Sequence, residues 1–219
     1  MRPTVLFSFG LMLGLAACQP GAQTTPPPAT QTASTGAAMQ QSKGFSAMSP
    51  DGKNTFEVSD EGGQLRYSVS RNYGRLVDNS RLGLRFLNHH GLDENLRLID
   101  VKMSKSDSTW EQPWGERRVV RDNHVEMLVE AERITPNLKV NIRVRVFDDG
   151  VGFRYEVPKQ AGLGAVSITE EITDFNIGAN TTSWTIPARM YNRYEYLYDK
   201  KPVGALQMVH TPATFRKES

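Results

Sequence analysis

At 219 residues the chain is long enough for one domain or for a large part of a bigger one, and too short for a barrel enzyme with an accessory module. Its 26 Lys and Arg against 24 Asp and Glu leave almost no net charge, which excludes the basic stripe that displaces counterions from nucleic acid, so no nucleic-acid partner is expected. A single cysteine excludes any disulfide within the chain.

Residues 1–18, MRPTVLFSFGLMLGLAAC, hold one arginine, an apolar run and then small residues before that cysteine. The run falls short of the roughly 20 residues that cross a bilayer and has the anatomy of a secretory leader. Leu15-Ala16-Ala17-Cys18 resembles a bacterial lipobox, so Cys18 is expected to carry the lipid, with an ordinary signal and an incidental cysteine as the alternative. Residues 19–44 contain almost no charge and few large apolar groups, and cannot bury enough surface to fold. They are expected to be a flexible tether of Pro, Thr and Ala, spanning roughly 25–30 Å and holding a domain clear of the headgroups. Gln19, where aspartate would favour inner-membrane retention, points to an outer-membrane anchor; the membrane is met through the lipid alone.

From residue 45 the dominant period is two. Phe56 and Val58 alternate with polar neighbours, as do Leu65, Tyr67 and Val69 after the Gly62-Gly63 turn, then Leu82, Leu84 and Phe86, then Val125, Met127 and Val129. The clearest run is Leu138 to Val146, with an apolar residue at every second position. Asp148-Asp149-Gly150 supplies turn chemistry, and Val151, Phe153, Tyr155 and Val157 resume the alternation, which predicts a hairpin. No stretch holds a 3.6-residue period for three turns. Short strands at intervals of roughly 8–12 residues predict an all-β fold, an antiparallel β-sandwich over residues 45–219. Arg143 and Arg145 fall on the outer face of one such strand, where basic residues are expected to be simply solvated.

Spacing reveals no HExxH, paired CxxC, P-loop or GxSxG motif. His89-His90 are adjacent in a Gly- and Asn-rich loop without a third ligand, so no metal site is expected there. Two segments are denser in chemistry. In Trp110-Glu111-Gln112-Pro113-Trp114-Gly115-Glu116-Arg117 an exposed tryptophan pair would form a platform for sugar CH groups, whereas residue type alone favours burying Trp110 and Trp114 in the core. In YNRYEYLYDK, residues 191–200, Glu195 stands among four tyrosines. Calcium takes six to eight oxygens, of which one carboxylate supplies at most two, so by itself Glu195 is expected to be a strand-surface glutamate.

Ser49-Pro50-Asp51-Gly52, Ser80-Arg81-Leu82-Gly83-Leu84, Thr109 to Glu116, Asp148 to Tyr155, Trp184-Thr185-Ile186-Pro187 and Tyr194-Glu195-Tyr196 occur in this order. Together they closely resemble the N-terminal domain of glycoside hydrolase family 97, bacterial α-glucosidases and α-galactosidases of the periplasm or outer envelope. The resemblance covers about residue 47 to the end. It implies a large β-sandwich, the supersandwich, followed by a catalytic (β/α)8 barrel in cis and a small C-terminal β domain. It also implies that one glutamate of this domain reaches across to a calcium ion otherwise held by the barrel, and by alignment that glutamate is Glu195.

The resemblance makes carbohydrate, an α-glucan or α-galactoside, the expected partner, with calcium bound only alongside the barrel. The chain is expected to stop inside the sandwich, at Thr211 to Ser219, leaving an unpaired strand edge and an uncovered apolar face. Glycoside hydrolysis needs two carboxyl groups flanking the scissile bond, which these residues do not supply, so no catalytic residue is assigned and the chain alone is expected to be inactive. The alternative function is a free-standing carbohydrate-binding envelope lipoprotein that uses Trp110 and Trp114; a third is a purely structural, partner-docking β domain.

Overall fold

The computed structural model describes residues 42–188 and 194–217. Cys18, the leader and the tether as far as residue 41 lie outside the described residues, as do residues 189–193 and 218–219.

Two four-stranded antiparallel sheets form the body. The first runs β1 (Gly44–Met48), β2 (Asn54–Ser59), β3 (Leu65–Arg71), β4 (Gly74–Leu82), each strand pairing with the next in sequence. A short strand, β5 (Leu84–Phe86), follows and belongs to a separate pair described below. The second four-stranded sheet repeats the meander with β6 (Leu96–Glu111), β7 (Val119–Arg133), β8 (Leu138–Phe147) and β9 (Val151–Glu156). Alternation makes this arrangement: along β8, Leu138, Val140, Ile142, Val144 and Val146 are buried while the residues between them are half-buried or exposed, so one face is apolar and must be covered. It is covered by Phe56, Val58, Leu65, Tyr67 and Leu82 of the first sheet, in one core with Val125, Met127 and Val129 of β7. Phe153 stands at 6.0 Å from Phe56 and 5.2 Å from Tyr67, joining the layers through tilted rings.

Turn chemistry sets the connections. Ser49 and Asn54 close the β1–β2 turn, and Gly52 takes φ +74° inside it. Asp148-Asp149-Gly150 makes the β8–β9 hairpin, with Phe147 N donating to Gly150 O at 2.8 Å. The strand β5 pairs with β10 (Ile168–Glu171), and β11 (Thr182–Thr185) lies between β12 (Asp199–Pro202) and β13 (Thr214–Arg216). Polar ties fasten these later segments to the sandwich: the Tyr67 hydroxyl donates to Asp174 O at 2.7 Å, and the Tyr155 hydroxyl, which accepts from Gly83 N, shares a hydrogen bond with the Thr173 hydroxyl at 2.9 Å. Burial pushes both phenols above their ordinary range. The described residues contain no α-helix, only two single-turn 3₁₀ segments, and no helix long and apolar enough to cross a membrane.

Two strands are far longer than the expected spacing. The hairpin of β6 and β7 continues for fifteen residue pairs, interrupted by one bulge at Ile99. β8 pairs with β7 only from His124 to Arg133, so beyond His124 the hairpin is a two-stranded ribbon in which Asp107–Glu111 face Val119–Asn123. Five pairs at about 3.4 Å each make it on the order of 17 Å long.

Candidate functional site

The ribbon carries the first candidate site at its tip. A free two-stranded ribbon is marginal in water, and this one is reinforced by charge: Arg121 makes two bonds to Asp107 at 2.8 and 2.7 Å, and Arg118 pairs with Glu111 at 3.0 Å. Arg121 holds the Asp107 carboxyl below its ordinary range. At the turn itself Gln112 is held twice, its backbone N donating to Arg118 O at 2.9 Å and its Nε2 to Arg117 O at 2.8 Å. Gly115 closes the turn at φ +105°, backbone that a side chain would strain. Trp114 is left 80% exposed and Trp110 51% exposed. Neither is core, because the ribbon leaves the sandwich before it reaches them and no opposing layer remains to cover them. Trp114 lines a cavity of about 470 Å³ with Glu111, Gln112, Pro113, Gly115 and Arg118; Trp110, on β6, is not part of it.

Glu195 belongs to a different part of the molecule, the segment between β11 and β12. Residues 194–198 form no strand, which corrects the expectation of a strand-surface glutamate. Tyr196 N donates to Tyr194 O at 2.8 Å, closing a three-residue turn with Glu195 at its centre. The centre of such a turn points away from the chain, and Glu195 is exposed, without a hydrogen bond or ion pair among the described residues. The turn is bracketed by the Tyr194 and Tyr198 hydroxyls, 3.4 Å apart, a contact that raises the Tyr194 phenol above its ordinary value. Next to β11 a short antiparallel ladder forms, with Ala188 N donating to Met208 O at 3.0 Å and His210 N to Ile186 O at 2.8 Å. The His210 ring meets Tyr194 edge-on at 5.7 Å. Around this segment large apolar side chains stand in solvent: Leu197 is 90% exposed and Met208 79%.

As a calcium site the described residues are incomplete. Glu195 is the hard oxygen donor that calcium takes, yet no group of three His, Cys, Asp or Glu side chains among the described residues could hold a metal. His89 and His90 lie in a loop, as expected.

Arg143 and Arg145 are not simply solvated. Arg143 bonds Glu126 on β7 and Glu156 on β9, and Arg145 reaches Glu126 at 2.9 Å, so the carboxylates and guanidinium groups form a ladder across three strands. The two arginines project from the same face of β8; the register sets Arg145 directly opposite Glu126, while Arg143 reaches Glu126 and Glu156 diagonally. The reading by spacing missed Gln112 and Arg118 as partners of Trp114. Gln112 was visible only as part of the tryptophan segment, and Arg118 depends on the hairpin register, which sequence alone did not supply.

The family model for the glycosyl-hydrolase 97 N-terminal domain matches residues 47–219. A glycoside hydrolase family 97 enzyme from Pseudoalteromonas sp. strain K8, solved with panose, is 41% identical with a TM-score of 0.75 over 78% of this chain and 26% of that one. The same enzyme solved with acarbose agrees equally, at 41% identity, a TM-score of 0.75 and the same 78% and 26% coverage. A β-arabinopyranosidase is 27% identical with a TM-score of 0.65, over 71% of this chain and 26% of its own. The chain spans about a quarter of the length of these enzymes. The two meanders, the ordered motifs and the match from residue 47 onwards agree, and the chain belongs to glycoside hydrolase family 97, of which it is the N-terminal β-sandwich domain.

Proposed function

We propose that this domain serves an α-glycosidase, of the α-glucosidase or α-galactosidase type, by buttressing a catalytic (β/α)8 barrel in cis and by donating Glu195 to a calcium ion whose other ligands come from that barrel. The observation that carries the reading is the three-residue turn at Tyr194-Glu195-Tyr196, which holds an exposed carboxylate without a partner among the described residues. The exposed Leu197, Tyr198 and Met208 around it suit a surface that another module covers. When bound, calcium would supply a positive charge near the reacting centre. The contribution of this chain is to present the Glu195 carboxylate on a turn whose Tyr194 meets the ring of His210, itself tied by its backbone to Ile186.

Alone, the domain is expected to hydrolyse no α-glycoside and to bind calcium weakly or not at all, since one carboxylate cannot replace a hydration shell. The test is a chimaera in which this chain replaces the N-terminal quarter of the Pseudoalteromonas enzyme. Glu195→Gln is expected to lower kcat/KM at least about tenfold at low calcium, with partial recovery as calcium is raised. Equal activity of the two chimaeras at every calcium concentration would refute the assignment. Lipidation at Cys18 would tether the enzyme to the envelope, with the outer membrane as the proposed site. Cys18→Ser is expected to abolish labelling by radioactive palmitate and release the protein from membranes; labelling that persists would contradict it.

The exposure of the two tryptophans favours a second reading, in which Trp110 and Trp114 contact carbohydrate directly.

A further inference from the structure

We infer that the ribbon tip is a subsite for a neutral pyranose, built on Trp114 with Gln112, Glu111 and Arg118, and separate from whatever Glu195 binds. The inference rests on the reading of this domain as part of a carbohydrate-active enzyme, and narrows the tryptophan pair to one member.

Three features carry it. The first is rigidity in an exposed place. An indole 80% in solvent is ordinarily folded back onto its own chain, yet here the turn beneath it is held by both bonds of Gln112, by the Glu111–Arg118 pair and by Gly115 in a backbone conformation suited to glycine. The backbone beneath the ring is thus held before any ligand arrives, and little backbone ordering entropy remains to be lost on binding.

The second is the chemistry beside the ring. Glu111 and Arg118 meet through Oε2, Nε and Nη2, which leaves Glu111 Oε1, Arg118 Nη1 and Gln112 Oε1 without hydrogen bonds among the described residues. Two acceptors and a donor on planar groups, next to an aromatic face, match adjacent hydroxyls and the CH face of a sugar ring. Because the carboxylate and guanidinium neutralise one another, an uncharged pyranoside fits better than a uronic acid or a sugar phosphate. The cavity of about 470 Å³ is large enough for one ring and part of a second.

The third is what the tip lacks. The centre of a protein interface is depleted of charge and rich in apolar contact. Here one ring is surrounded by an ion pair and an amide, with Glu116 and Arg117 exposed alongside. Trp110 lies outside the cavity, so a two-ring platform is not what the tip offers.

The experiment is a titration of the intact 219-residue chain with maltotriose and with melibiose, followed by tryptophan fluorescence and by calorimetry, with no calcium present. Saturable binding of one of them is expected with a dissociation constant on the order of 1 mM. Trp114→Ala is expected to weaken it at least tenfold, Trp114→Phe only a few-fold, and Trp110→Ala not at all, with circular dichroism showing all variants folded. Gly115→Ala should weaken it as well while leaving the indole in place, an effect that simple exposure of the ring would not produce. Absence of saturable binding by the folded parent chain, or equal binding by Trp114→Ala, would overturn the subsite. So would loss, in Trp114→Ala, of association with the barrel supplied in trans while neither sugar binds, which would make the tip a protein contact. None of these results bears on Glu195, whose test requires calcium and the barrel, so failure of one reading leaves the other standing.

Discussion

Tyr73 occupies the second position of the two-residue turn between β3 and β4, with φ +67° after Asn72 at +48°. A hairpin of this length follows the twist of its strands only with positive φ at both positions, which asparagine tolerates and tyrosine does not. The Tyr73 side chain is fully exposed and recovers nothing through packing. Tyr73→Gly is therefore expected to stabilise the domain by about 0.5–1 kcal/mol in urea denaturation, since relief of the left-handed strain exceeds the added freedom of the unfolded chain. At this scale residue type was a poor guide to surroundings. Trp110 and Trp114 carry the largest apolar area of any side chain, and only the length of the ribbon, which carries them past the second layer, explains their exposure.

Elements were legible in the sequence wherever one face was buried. β8 was plain because its apolar residues alternate without a break, and the Asp148-Asp149-Gly150 turn fixed its partner. β6 was not, because from Lys102 to Glu111 every residue but Met103 and Trp110 is polar, so pairing continues into the ribbon with no period in hydrophobicity to announce it. The ladder of Glu126, Arg143, Glu156 and Arg154 depends on cross-strand register and was equally hidden. It has a consequence in acid. Arg143, and behind it Arg154, hold the Glu156 carboxyl down at about 2 against the opposing effect of desolvation, from an ordinary 4.5. A group depressed in this way stabilises the fold above its unfolded value and loses that contribution as pH falls through the folded one. Stability should therefore decline from about pH 4.5 towards pH 2. For a pair about a quarter exposed, the loss should amount to about 1–2 kcal/mol. Urea midpoints at pH 6 and pH 3 should differ less in Glu156→Gln than in the parent chain; an unchanged difference would show that the ladder contributes nothing.

Across the whole molecule, the order of motifs carried more than any one of them. The match over residues 47–219 and the 0.75 TM-score to the Pseudoalteromonas enzyme establish the same domain that the ordered set suggested. The meaning of Glu195 could not come from spacing, since a lone carboxylate among tyrosines has no partners along the chain to complete a coordination pattern. The turn adds what the sequence lacked, a reason for the side chain to point outward. Its function then depends on what lies opposite, as expected of a domain that spans a quarter of its solved relatives.

The most direct test is the calcium affinity of the chimaeric enzyme, by calorimetry after chelation, with Glu195 and with Glu195→Gln, alongside this chain alone. Tight binding by the parent chimaera is expected, with at least tenfold weaker binding by the variant and no measurable heat from the isolated chain. Identical affinities in the two chimaeras would contradict the assignment of Glu195.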